Sequence, residues 1–159
     1  MVDAMPVPLR SVLALSLRAL VGERGLVSEL RRKTRWSTID LYGHMNYASY
    51  LEEMELARWD WAVRSGALAT FYRSRTRPVV VRVDIQYRRE LKPGARFTLD
   101  TRLVALDQKV AVFRQQMLGR AGLHASADIG ALLLRGGKVV DAHTVEQLLR
   151  PLVVEPRPA

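Results

Sequence analysis

The apolar residues of this chain change their spacing once, near residue 78, and that change restricts the architecture more than any other feature. Upstream, Tyr47, Tyr50, Leu51, Met54, Ala57, Trp61 and Ala62 recur at steps of three and four, the interval that lines one face of an α-helix. The spacing predicts a long amphipathic helix over residues 46–65. Asn46 is placed to cap its first turn, and Gly66 to end it in the left-handed conformation. Glu52, Glu53, Glu55, Asp60 and Arg64 fall mostly off the apolar face, with Asp60 and Arg64 spaced as an i,i+4 ion pair. Downstream, Val81, Val83, Ile85 and Tyr87 alternate with Arg82, Asp84, Gln86 and Arg88, which is the period of a half-buried antiparallel strand. In that strand Arg88 and Arg89 would stand on opposite faces.

The alternation continues in three more strands. Turns are expected at 92–95, 106–109 and 119–122, and Gly136-Gly137 closes a hairpin onto residues 138–140. Residues 26–36 read as an earlier, basic strand, and 67–72 as a short extra helical turn. Thr144-Val145-Glu146-Gln147 has the form of a capping box opening a terminal helix that Pro151 stops. One helix followed by a meander of strands is an α+β domain. The organisation expected is an amphipathic segment over 1–25, one folded domain over 26–150 and a loose tail over 151–159.

Chemistry gathers at the start of the long helix. The first amides of a helix lack intrahelical acceptors and carry the positive end of its dipole, so they suit a carbonyl oxygen that is gaining charge. Asp40 stands just before the Gly43-His44 turn that leads into those amides. A carboxylate there can orient or deprotonate a water, or attack directly. Acyl transfer needs both parts.

The run Asp40-Leu41-Tyr42-Gly43-His44-Met45-Asn46, followed by Tyr50-Leu51 and Ala57-Arg58, resembles the signature of the hot-dog-fold thioesterases. It is similar to the group around 4-hydroxybenzoyl-CoA thioesterase and the acyl-ACP thioesterases, whose pattern runs D-x-N-G-H-M-N-N-x-x-Y-L. Residues 83–94, ending in Lys92-Pro93-Gly94, continue the likeness. Tyr42 and Tyr47 depart from it, each standing where relatives carry Asn. The resemblance implies a sheet wrapped around the central helix, hydrolysis of an acyl-CoA or acyl-ACP thioester, and a site at a subunit interface in a homodimer or homotetramer. Asp40 would be base or nucleophile. Gly43 and His44 would present backbone N–H groups to the thioester oxygen, and Asn46 would hold the loop through its cap. Tyr42, Tyr47, Tyr50 and Met54 are candidate substrate contacts, the last three as the lining of an acyl tunnel. Arg88 and Arg89, with the loop residues Arg73, Arg75 and Arg77, are candidates for the coenzyme phosphates. Tyr42 and Tyr47 also keep open a catalytically silent relative that binds acyl groups or mediates assembly.

The balance of charge bears on the partner. The 159 residues carry a formal charge of +9 and no cysteine. Disulfides, thiolate-bound zinc and thiol nucleophiles are therefore excluded. His44, His124 and His143 lie far apart without metal-ligand spacing, so no metal or cofactor is expected beyond coenzyme A as part of the substrate. The basic residues are spread along the chain and fit either an anionic substrate or an ordinary solvated surface. They show no nucleic-acid recognition pattern. Leu9, Val12, Leu13, Leu17 and Leu20 suggest a helix over residues 8–21, too short to span a bilayer. It would pack on the body or a partner, or touch a membrane surface from a cytoplasmic protein.

Overall fold

A computed structural model describes residues 24–157, so the expected helix at 8–21 lies outside the described residues. The elements are β1 (Val27–Lys33), α1 (Tyr47–Arg64), α2 (Ala67–Arg73), β2 (Arg77–Tyr87), β3 (Arg96–Asp107), β4 (Val110–Gly119), β5 (Gly122–Arg135), β6 (Lys138–Val139) and α3 (Ala142–Leu149). The strands form one antiparallel sheet in the order β1-β3-β4-β5-β2, with β6 paired to the end of β5. The sheet curls around α1, giving the α+β hot-dog arrangement.

The core lies where α1 meets the concave face. Met54, Ala57 and Trp61 are fully buried there against Leu99, Leu103, Met117 and Ile129, and Trp61 meets Phe113 edge-on at 4.8 Å. Asn46 caps α1 as expected, its side chain accepting from the Ser49 amide at 3.0 Å. Gly66 takes φ +79° directly after the helix, a conformation open to glycine at little cost.

Two expectations about α1 are corrected. Glu53 and Asp60, placed off the apolar face, are buried, whereas Tyr47 and Leu51 on that face are exposed. The buried acids are accommodated because each meets a cation and further donors. Arg32 grips Glu53 with two bonds of 2.6 and 3.0 Å. Arg64 reaches Asp60 at 2.6 Å, and the Ser28 hydroxyl donates to the same oxygen at 2.5 Å. Both acids thus fasten α1 to β1, a strand whose basic residues gave no hint of a buried role.

β2 also differs from its expected half-burial. It is the terminal strand of the sheet, and Val81, Val83 and Tyr87 are exposed at 52%, 45% and 40%. The cap of α3 is Asp141 rather than Thr144: its carboxylate accepts from the Thr144 amide at 2.9 Å, so the helix starts two residues before the proposed box. Residues 153–157 of the tail expected to be loose are tied to β3. Val154 donates to the Leu103 carbonyl at 2.9 Å, and Arg157 reaches Asp100 at 3.3 Å.

Candidate active site

The loop before α1 is a short hairpin. The Asp40 amide donates to the His44 carbonyl at 2.9 Å, the Asn46 amide to Thr38 at 2.9 Å, and Ile39 and Met45 face each other as a bridge. Gly43 turns the tip with φ +81°, and its amide closes onto the Asp40 carbonyl at 3.1 Å. The Asp40 carboxylate accepts from the Tyr42 amide at 2.9 Å. Its other oxygen lies 3.4 Å from His44 Nδ1, and both side chains are partly buried, at 29% and 21% exposure. The acid is therefore held in place without being sealed off.

Most of the loop amides are thus already committed. Gly43 and Tyr42 spend theirs on Asp40, while those of His44, Tyr47 and Ala48 meet no protein acceptor among the described residues. The unmet donors are His44 and the first turn of α1, where the helix dipole adds positive potential. Asn46 does more than cap: its Nδ2 donates to the Thr38 carbonyl at 3.1 Å, pinning the helix start to the residue two before Asp40.

The far wall comes from the segment after β2. Met45 donates to the Leu91 carbonyl at 2.8 Å. Tyr87 meets Tyr47 at a tilt, 4.7 Å between ring centres, and Tyr50 edge-on at 5.2 Å. Burial pushes the Tyr50 phenol above its ordinary value, with Tyr87, Glu90 and Tyr47 adding to the rise and a backbone hydrogen bond at Leu91 opposing it. Tyr42 is exposed beside the His44 ring, and Met54 is fully buried in the core.

Arg88 and Arg89 do not occupy opposite strand faces. β2 ends at Tyr87, and both amides donate to the single carbonyl of His124, at 2.8 and 3.1 Å. Arg89 turns to the Ala121 carbonyl at 2.7 Å. His124 has no signal in the sequence, yet it anchors this wall, its ring nitrogen lying 3.0 Å from the Glu90 carbonyl. Gly119 makes room for that ring, since a Cβ there would lie 2.6 Å from His124 Nε2.

A family model described as the thioesterase-like superfamily matches residues 34–146. The chain belongs to that superfamily. The matched region contains the Asp40 hairpin, α1 and almost the whole sheet. Over 83 residues this thioesterase-like chain is 34% identical to the long-chain acyl-CoA thioesterase FadM of Escherichia coli, covering 52% of this chain and 63% of FadM. It is 34% identical over 89 residues to the protein THEM6 of Danio rerio, covering 56% of this chain and 44% of that protein. The matches take in about half the length of these relatives. Among solved structures, YbaW of Escherichia coli superposes with TM-score 0.73 at 27% identity, over 80% of this chain and 99% of that one. A thioesterase from Thermus thermophilus, solved with coenzyme A and zinc, gives TM-score 0.67 at 25% identity, over 82% and 96%.

The fold also collects charge that the sequence scatters. Arg31, Lys33 and Arg35 share an open groove with Arg96 and Arg120. The first three lead straight into the short turn before Asp40. Only the pairing of β1 with β3, and of β3 with β4, brings the other two alongside. Among the described residues no helix is long and apolar enough to cross a membrane.

Proposed function

We propose that this chain hydrolyses an acyl-coenzyme A thioester, with Asp40 as base or nucleophile, and that a second copy completes the site. The observation that carries this reading is the Asp40 hairpin. A carboxylate is fixed by the Tyr42 amide one short turn ahead of the unmet amides of His44, Tyr47 and Ala48. Thioesters are already activated acyl groups. A water deprotonated by Asp40 attacks the carbonyl carbon, and the oxygen gains charge facing the helix terminus. The thiolate of the coenzyme then leaves. General-base help contributes roughly 100- to 10,000-fold, and one oxyanion donor about 3–4 kcal/mol. Together these suffice without a triad. His44, beside the acid, is positioned to help orient the water.

The name of FadM, a long-chain acyl-CoA thioesterase, supports a coenzyme A substrate. The groove of Arg31, Lys33, Arg35, Arg96 and Arg120 suits coenzyme phosphates, which guanidinium forks grip well. It outranks Arg88 and Arg89 for that role, because Arg89 is already bonded to a carbonyl. The exposure around the acid calls for a partner copy. Leu41, Tyr42, Tyr47 and Tyr87 leave the acid open to solvent on one side, and β2 presents an unpaired edge next to it. A homodimer joined along β2 would cover both.

The test is thiol release from a panel of acyl-CoA thioesters by the wild-type protein and Asp40→Asn. Wild type should turn over at least one chain length, and the variant should be slower by about 100-fold or more with its melting temperature kept. Wild-type release at the uncatalysed rate across the panel would leave an acyl-binding protein without catalysis.

A further inference from the structure

Among the described residues, the half-buried arginines other than Arg58 find carboxylates. Arg32 meets Glu53 at 2.6 Å, Arg64 meets Asp60 at 2.6 Å, and Arg102 meets Asp100 at 2.8 Å. Arg58 does not. Among the described residues its side chain makes one hydrogen bond, 2.7 Å to Gln115 Oε1, and no carboxylate lies within ion-pairing distance. Gln115 is fully buried, and its Nε2 is committed to the Met54 carbonyl and the Thr101 hydroxyl, both at 2.9 Å. Its Oε1 is thereby fixed, and it fixes Arg58. Burial pushes the Arg58 guanidinium down to about 10, with Glu55 opposing the fall, so it remains a cation at neutral pH. Most of its five N–H donors have no acceptor among the described residues.

Those donors face a cavity of about 90 Å³ whose walls are otherwise apolar, with Trp59, Phe71, Val80 and Phe113 among them and Glu55 at its margin. The cavity lies in the angle between α1 and the start of β2. At the other end of the same angle are Tyr47, Tyr50 and Tyr87, next to the Asp40 hairpin. Between the two ends, α1 leans on β1 and β3 rather than β2. The exposed side chains there are apolar, Leu51 from the helix and Val83 from the strand. From Tyr47 to Arg58 the helix rises about 16 Å. An extended chain gains roughly 1.2 Å per bond, so about a dozen carbons span that distance.

We propose that the angle between α1 and β2 carries the acyl chain away from Asp40, and that the cavity at Arg58 receives its far end and selects chains bearing a hydroxyl group there. The inference rests on the thioesterase reading for its direction. A hydroxyl can use both polar groups on offer, accepting from Arg58 and donating toward Glu55, whereas a carboxylate, having no proton to give, meets Arg58 alone and leaves Glu55 unmatched. A plain methyl end would leave the Arg58 donors unmet in a largely apolar cavity, a penalty that polar pockets use to reject analogues lacking the group.

Two matched series of acyl-CoA thioesters test this on the full chain, one ending in methyl and one in a terminal hydroxyl, from four to sixteen carbons. Wild type should favour the hydroxyl end by about tenfold or more in kcat/KM near a dozen carbons, and show no preference at four. The preference should vanish in Arg58→Met, shrink in Arg58→Lys, and move to shorter chains in Val80→Trp, each checked by thermal melting. Cleavage of both series without a preference overturns the inference and leaves the hydrolase reading standing. Arg58→Met that weakens dimerisation with the preference intact overturns it too, by giving Arg58 to a partner's acid. If wild type cleaves nothing, the hydrolase reading fails by itself. Calorimetry with 12-hydroxydodecanoic acid and dodecanoic acid then decides, and equal binding by wild type and Arg58→Met, or none, rejects the site.

Discussion

Asn46 carries more of the site than its size suggests. One side-chain oxygen satisfies the Ser49 amide, and the nitrogen of the same group holds the Thr38 carbonyl. Helix cap and hairpin closure are thus one residue's work. Asn46→Ala should lower unfolding free energy by about 1 kcal/mol, the usual loss for an N-cap, read from the urea midpoint. Asn46→Ser should restore the cap while leaving Thr38 unheld, so stability should recover further than thioester turnover does. Equal recovery of both would reduce Asn46 to a cap alone. Glu53 and Asp60 show the opposite limit. Their spacing put them on a solvated face, and only Arg32, Arg64 and Ser28, from other turns and another strand, explain their burial.

Among the elements, β2 is the one whose role its own pattern misstates. Alternation of Val81, Val83, Ile85 and Tyr87 with polar residues is what a strand with one covered face looks like. In the single chain the strand lies at the end of the sheet, and Val81, Val83 and Tyr87 are exposed. A long apolar edge is a template for another strand, which is why the proposed dimer is placed there. Val83→Lys should move the protein toward monomer in light scattering at micromolar concentration. Acyl-CoA turnover should fall with it, because in the proposed dimer the second copy covers the site. A monomeric wild type would remove the basis for that expectation. α1, by contrast, follows its sequence closely: the Asn46 cap, the Gly66 stop and the buried Met54, Ala57 and Trp61 all stand where their spacing put them.

At the scale of the molecule, the hairpin is held by residues far from it in sequence. Gly119 leaves space for His124, His124 holds the carbonyls and amides of residues 88–90, and Leu91 receives Met45. Gly119→Ala should displace the imidazole and cost about 1–3 kcal/mol through overpacking. It should also slow hydrolysis by more than the loss of folded protein accounts for. Full activity per folded molecule would cut His124 out of that chain of contacts.

What was legible in the sequence was local. The period of the apolar residues gave helix and strands, and the cap, the glycine stop and the Asp40-to-Asn46 run gave the family and its candidate acid, because each depends on neighbours within a few residues. The Arg32 partner of Glu53, the exposure of β2, the groove joining Arg31 to Arg96 and Arg120, and the cavity before Arg58 were not. Each depends on strand order and on which faces the curled sheet turns inward, and those are settled by contacts between residues scores of positions apart, where no periodicity carries the information.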